Sequence, residues 1–192
     1  MWGDAMGKMI EMSNRCGCRL VLLVALLGGG CATVGQRVEG IANFDTVESP
    51  APIYRGAQPS VKGIATLQSM GVRTVINLRD DPPAWEEQAV VSAGMNYVWI
   101  PTSPLREDPG QIRAFLRAMQ TAERPLFIHC LQGRDRTGLE VAIYRLTHRQ
   151  SEWTRERVIQ DLRAHGYNWM LFPGIERYLR STDFAALALS LP

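Results

Sequence analysis

Between residues 53 and 129 the chain alternates short apolar runs with stretches whose apolar residues recur every three or four positions. The first run, at Pro52, Ile53, Tyr54 and Arg55, reads as an edge strand, because its proline cannot donate to a ladder. Ser60 is placed to cap a helix over 60–70 that buries Ile64 and Leu67 and stops at Gly71. The β-branched run over 72–78 predicts a strand. The unit then repeats, with a turn at Asp80, Asp81, Pro82 and Pro83, a helix over 84–93 ending at Gly94, and a strand over 96–100. After a Pro-rich loop over 101–110, Ile112, Phe115, Leu116 and Met119 fall on one helical stripe, which reads as core. That helix ends ahead of Arg124 and Pro125, and the segment 126–129 is short and apolar enough for a buried central strand. From Thr137 the pattern is helical, over 137–149, over 152–165 and in a shorter piece after Pro173.

Successive βα units predict an α/β fold with a central, mostly parallel sheet flanked by helices and a helical C-terminal part. Ligands of such sheets bind beyond the carboxyl ends of the strands, where the loops 79–83, 101–108 and 130–136 gather. Trp85, Trp99, Trp153 and Trp169 read as core or helix-packing residues. The arginines from Arg145 to Arg163 are interrupted by Glu152, Glu156 and Asp161 and read as a solvated helix surface.

Composition narrows the class. The 192 residues are 46% hydrophobic and 21% charged, which excludes a disordered chain and a polytopic membrane protein. A net charge of +2 without a long run of like charges argues against a nucleic-acid partner. The first thirty residues differ from the rest: Lys8, Arg15 and Arg19 precede an apolar run over 20–27, then Gly28, Gly29, Gly30 and Cys31. A basic region, a short apolar core and small residues are the parts of an export signal, and the apolar run is too short to span a bilayer. The small residues ahead of Cys31 resemble a bacterial lipobox, although Leu27 stands four residues before the cysteine, where lipoproteins usually place leucine three before. That resemblance implies lipidation at Cys31, a membrane anchor and a periplasmic-side location; plain secretion is the alternative. Ala32, in place of an aspartate associated with inner-membrane retention, favours the outer membrane. Met6, Met9 and Met12 are alternative starts. The expected layout is a signal over 1–30, a tether over 31–50, a catalytic domain over 51–181 and a tail over 182–192. Removing the signal discards Cys16 and Cys18 and gives Cys31 to lipid, which leaves Cys130 without a disulfide partner.

Cys130 has another explanation. The segment His129, Cys130, Leu131, Gln132, Gly133, Arg134, Asp135, Arg136, Thr137 leaves a predicted buried strand and opens a helix. A loop of this length can wrap into a bowl of inward N–H groups, to which the helix adds its positive dipole end. Such a bowl binds a dianion through Leu131, Gln132, Gly133, Arg134 and Asp135, with the planar fork of Arg136 on two of its oxygens. The same field favours a thiolate, the nucleophilic form of cysteine. Thr137 is placed to donate its hydroxyl to that sulfur. His129 points to the opposite face of its strand and reads as a support for the loop. The chemistry calls for no metal and no cofactor, and His148 and His165 lie at no metal-ligand spacing.

His129-Cys130-x5-Arg136-Thr137 resembles the HCx5R(S/T) signature of the cysteine-dependent protein tyrosine and dual-specificity phosphatases. Tyr54, Arg55, Gly56, Ala57, Gln58 and Pro59, the run from Val75 to Arg79, and the run from Pro173 to Tyr178 are similar to the compact branch found in bacteria, fungi and plants. The resemblance covers roughly residues 50 to 180. It implies a phosphocysteine mechanism on phosphotyrosine or another protein phosphoester, with phosphoinositides or inositol phosphates as an alternative. A rhodanese-like sulfurtransferase is a weaker match, because its cysteine loop is typically shorter. A pseudophosphatase that binds phosphorylated ligands without turnover is the alternative of another class. The mechanism also needs an acid for the leaving group. Asp108 stands 22 residues before Cys130 on the catalytic edge and is the first candidate, although it is equally an N-cap ahead of Pro109. Asp135 inside the bowl, and Asp80 or Asp81 on the neighbouring loop, compete with it.

Overall fold

The computed structural model describes residues 36–106 and 108–189; the expected signal over 1–30, Cys31 and the start of the expected tether lie outside them. The elements in chain order are β1 (Gln36–Val38), β2 (Ile41–Glu48), β3 (Ile53–Gly56), α1 (Val61–Ser69), β4 (Thr74–Asn77), α2 (Glu86–Ser92), β5 (Asn96–Trp99), α3 (Pro109–Thr121), β6 (Leu126–His129), α4 (Asp135–His148), α5 (Arg155–Ala164), α6 (Pro173–Ser181) and α7 (Phe184–Leu189). The sheet runs β1-β2-β3-β6-β4-β5. The strands β3, β6, β4 and β5 are parallel, and β1 and β2 add an antiparallel hairpin.

The apolar run 126–129 is the centre of this sheet. Alternation sends Leu126 and Ile128 into the core shared with α3, α4, α5, α6 and α7, and Phe127 into the core beneath α1 and α2. All three are completely buried, a contribution of roughly 2 kcal/mol each. Register sets the position of the site. Gly56 and Asn77 both pair with His129, so three neighbouring parallel strands end at one level and release their loops side by side.

Four expectations need correction. From Gln36 onward the expected tether is structure: Ile41 and Phe44 of β2 are buried against Phe127, the apolar residues of a segment whose polar majority reads as solvated. With β2 paired to it, β3 is an interior strand; Pro52 stands just outside its ladder and accepts from Leu126 N–H at 3.1 Å. The expected tail carries α7, capped by Asp183, with Phe184 buried against Tyr178 and the α4 core. Arg145 is buried on α4 over the ring of Trp153, whereas Trp85, Trp99 and Trp169 are exposed.

Candidate active site

The loop from Cys130 to Arg134 is shaped from outside. Leu131 C=O accepts from Gln58 N–H at 3.2 Å. Gln132 C=O accepts from the Asn43 amide at 3.3 Å, and Gly133 C=O accepts from the same amide at 3.0 Å and from Arg55 Nη2 at 2.8 Å. In a trans peptide the C=O of one residue and the N–H of the next point in opposite directions. Three carbonyls drawn outward therefore turn the N–H groups of Gln132, Gly133 and Arg134 to the concave side, as an anion requires. Gly133 has φ +67°, and a Cβ on it would collide with the Gly56 carbonyl and the Ala57 nitrogen, so this turn accepts only glycine.

Arg55 is the main strut. It is fully buried, 3.5 Å from Asp161, which also lies 2.6 Å from Arg145. Burial lowers the Arg55 pKa to about 10 against the pull of Asp161, leaving it charged at neutral pH. His165 bridges Asp45 and Asp161 beside this network, and burial, together with Arg55, lowers its pKa. In the sequence Arg55 belongs to the edge-strand run and to the family resemblance, and Asn43 lies in the expected tether. Asn43, at φ +52°, carried no signal, because only the fold brings it 90 positions along the chain to Gly133.

On the other face of β6, His129 stacks on Phe127 and its Nε2 lies 2.9 Å from Glu86 Oε1, an ion-pair distance without hydrogen-bond alignment. Glu86, fully buried on α2, accepts from Asn77 at 2.6 Å and Gln58 at 2.7 Å. Burial and then the charge of Glu86 push the nearby Tyr97 hydroxyl up to about 12. Gln58 also accepts from Arg79 at 3.1 Å, so the end of the nucleophile's strand and the loop after β4 share one polar framework.

The chemical residues divide sharply. Cys130 is buried as a free thiol at the carboxyl end of β6. Arg136, on the first turn of α4, lies 2.6 Å from Asp80 through its Nη1. Asp135 accepts from Asn168 N–H at 2.8 Å and ties the bowl to the α5–α6 loop. The Thr137 hydroxyl, expected to donate to the sulfur, is instead buried on α4 without a hydrogen-bond partner, and α4 begins two residues earlier than expected. The Asp108 Oδ1 accepts from Gly110 N–H at 2.7 Å and Gln111 N–H at 3.4 Å, the cap of α3. Leu131 and Arg134 are exposed at the rim.

A buried parallel strand, a cysteine at its end, an anion loop and an arginine on the following helix define the cysteine-dependent phosphatase class. A family model described as DSP-PTPase phosphatase fused to NAD+ kinase matches residues 33–172, and the chain belongs to that family. It is 35% identical over 143 residues to the dual specificity protein phosphatase TpbA of Pseudomonas aeruginosa strain UCBPP-PA14, an alignment covering 72% of this chain and 63% of TpbA. The chain thus spans less than two thirds of the length of that relative. The crystal structure of P. aeruginosa TpbA with its cysteine replaced by serine, in complex with pTyr, superposes with a TM-score of 0.67 at 25% identity, over 84% of this chain and 97% of that one. The catalytic core of the S. cerevisiae PP-IP phosphatase Siw14 shares the fold, with a TM-score of 0.66 at 17% identity over 80% of this chain and 93% of that one.

Proposed function

We propose that this protein hydrolyses phosphomonoesters through a phosphocysteine intermediate, as a protein-tyrosine or dual-specificity phosphatase. The observation that carries the reading is the three outward carbonyls of the loop, which leave a ring of N–H donors between Cys130 and the guanidinium of Arg136. A phosphoryl group held there presents its phosphorus to the sulfur, and Arg136 and the N–H groups neutralise the charge that spreads over its equatorial oxygens in the transition state. Cys130 attacks, the P–O bond breaks, and water then cleaves the thiophosphate and restores the thiolate. Family membership and the likeness to a phosphatase crystallised with pTyr support phosphotyrosine as a substrate.

The test is phosphate release from an aryl phosphate and a phosphotyrosine peptide by wild type and Cys130→Ser, with acid trapping of labelled enzyme. Activity falls to background in the variant, and wild type alone retains label on sulfur. Equal activity in both overturns the mechanism, and binding without turnover assigns a phosphate-binding module instead. The amino-terminal segment supports export, with Cys31 acylated and the domain tethered on the periplasmic side. Labelled fatty acid incorporated into wild type and absent from Cys31→Ala is the expected result; equal labelling overturns it.

A further inference from the structure

Large apolar side chains left exposed gather at one end of the described structure. Trp85 follows β4, Trp99 closes β5, Leu105 lies in the loop beyond it, and Trp169, Met170 and Leu171 occupy the turn between α5 and α6. All six positions adjoin the carboxyl end of the parallel strands, around the mouth of the anion loop, whose own Leu131 is exposed as well. Single apolar residues scattered over a surface are ordinary, but a rim of them around one opening marks a face that meets something apolar.

The turn between α5 and α6 is built to hold its apolar residues outward. The Tyr167 hydroxyl donates to Phe172 C=O at 2.5 Å, Phe172 N–H donates to Asn168 C=O at 2.9 Å, and Leu171 N–H donates to Asn168 Oδ1 at 3.1 Å. Asn168 N–H donates in turn to Asp135 at 2.8 Å, which fixes the turn beside the anion loop. Turns ordinarily carry polar residues and glycine. Here Trp169, Met170 and Leu171 are 60%, 74% and 61% exposed. Arg106 and Arg134 stand exposed next to Leu105 and Leu131, while the carboxylates of the same end, Asp80 and Asp81, are paired with Arg136 and Arg79. An apolar rim with basic neighbours matches the interface of a bilayer that contains anionic lipid.

The amino-terminal chain bears on the same end. Gln36 pairs with Phe44 and Asp45 with Arg55, which sets Gln36 level with Gly56 and so with His129, at the catalytic end of the sheet. The four residues between Cys31 and Gln36 reach at most about 18 Å when fully extended. Three strand spacings, about 14 Å, separate β1 from β6. An acyl chain on Cys31 therefore keeps the catalytic end within one short tether of the bilayer, and the apolar rim selects the face turned toward it. We infer that this catalytic face is a membrane-docking face: Trp169, Met170 and Leu171, with Trp85, Trp99 and Leu105 around the opening, seat in the headgroup region of the bilayer that holds the Cys31 acyl chain. The active site then takes phosphotyrosine presented at that surface. Tryptophan suits this layer, because its ring joins an apolar body to a polar N–H. The inference rests on the phosphatase reading and on the acylation of Cys31 proposed above.

The experiment places the full acylated chain on vesicles of phosphatidylethanolamine and phosphatidylglycerol and compares wild type with the double variant Met170→Glu, Leu171→Glu, which keeps Trp169 as a reporter. Val91→Glu, an exposed apolar position toward the far end of α2, is the control. Two quantities are read: quenching of tryptophan fluorescence by nitroxide-labelled lipid, and kcat/KM on a phosphotyrosine peptide that is either acylated into the same vesicles or free in solution. Wild type and Val91→Glu are quenched and prefer the vesicle-bound peptide. The double variant loses at least half of the quenching and roughly tenfold in kcat/KM on the bound peptide, with activity on the free peptide unchanged, since charge is expelled from the bilayer interface. Unquenched tryptophans in a wild-type chain that floats with the vesicles overturn the docking. An equal loss on both peptides does so too, because the turn then contacts the substrate peptide and not the bilayer. A wild-type chain that does not float with the vesicles removes the anchor reading and the docking with it, and activity that survives Cys130→Ser removes the phosphatase reading, so the failures are distinct.

Discussion

Two ionisable groups lie completely buried on different sides of α4, and they are handled in opposite ways. Arg55, packed beside Gly138, donates to Gly133 C=O and pairs with Asp161. Glu140 stands two residues further along the helix, hence on another face, and its Oε2 has no hydrogen-bond partner. Burial alone pushes the Glu140 carboxyl up to about 8, so at neutral pH it is largely a neutral acid, while Arg55 keeps its charge. The difference teaches where this interior retains charge: on the side where it holds the anion loop open, with a counter-ion to offset desolvation. On the other side the same desolvation is answered by a proton.

The contrast can be broken at each end. For Glu140 the sign follows from its raised value. The unfolded chain releases this proton near 4.5 and the folded one near 8, so its contribution is full below 4.5 and is lost as pH rises through 8. Glu140→Gln carries no such dependence and is expected to match wild type at pH 4 but to exceed it by roughly 4–5 kcal/mol at pH 9. Parallel stability profiles would remove the distinction between the two sides. Arg55→Met leaves Asp161 to Arg145 and His165 but frees the buried Gly133 carbonyl. It is expected to cost about 2 kcal/mol in urea unfolding and to lower kcat/KM on aryl phosphate sharply. Intact activity would show that the loop shapes itself.

Smaller effects sharpen it. Gly133→Ala places a side chain at positive φ against the Gly56 carbonyl and is expected to cost about 2 kcal/mol, with loss of phosphate affinity measured by vanadate or phosphate competition. Asp108→Ala removes only a helix cap, at about 1 kcal/mol in thermal unfolding, with kcat/KM unchanged.

Much of this was legible locally. The cap at Ser60, the stripe on α3 and the run 126–129 depend on neighbours within a few positions, and each forms as its pattern predicts. The opposite faces of His129 and Cys130 follow from alternation alone. The larger departures lie where a partner comes from far along the chain. Arg145 looks solvated until Asp161 and Trp153 are packed on it. The polar segment before residue 50 looks like a tether until β3 pairs with it. Among the carboxylates, Asp108 is adjacent to everything needed to explain it, whereas Asp80 finds its partner, Arg136, only across 56 positions.

By itself the sequence determined the strands and helices from β3 to α6 and the anion loop with its cysteine and arginine. These are matters of backbone preference and short-range periodicity. Only the tertiary structure decided that β3 is interior, that Asn43 and Arg55 pull the loop carbonyls outward, and that Asp80 meets Arg136. Hydrogen bonds and ion pairs between distant residues leave no periodic trace, because they depend on distances that exist only once the sheet has assembled.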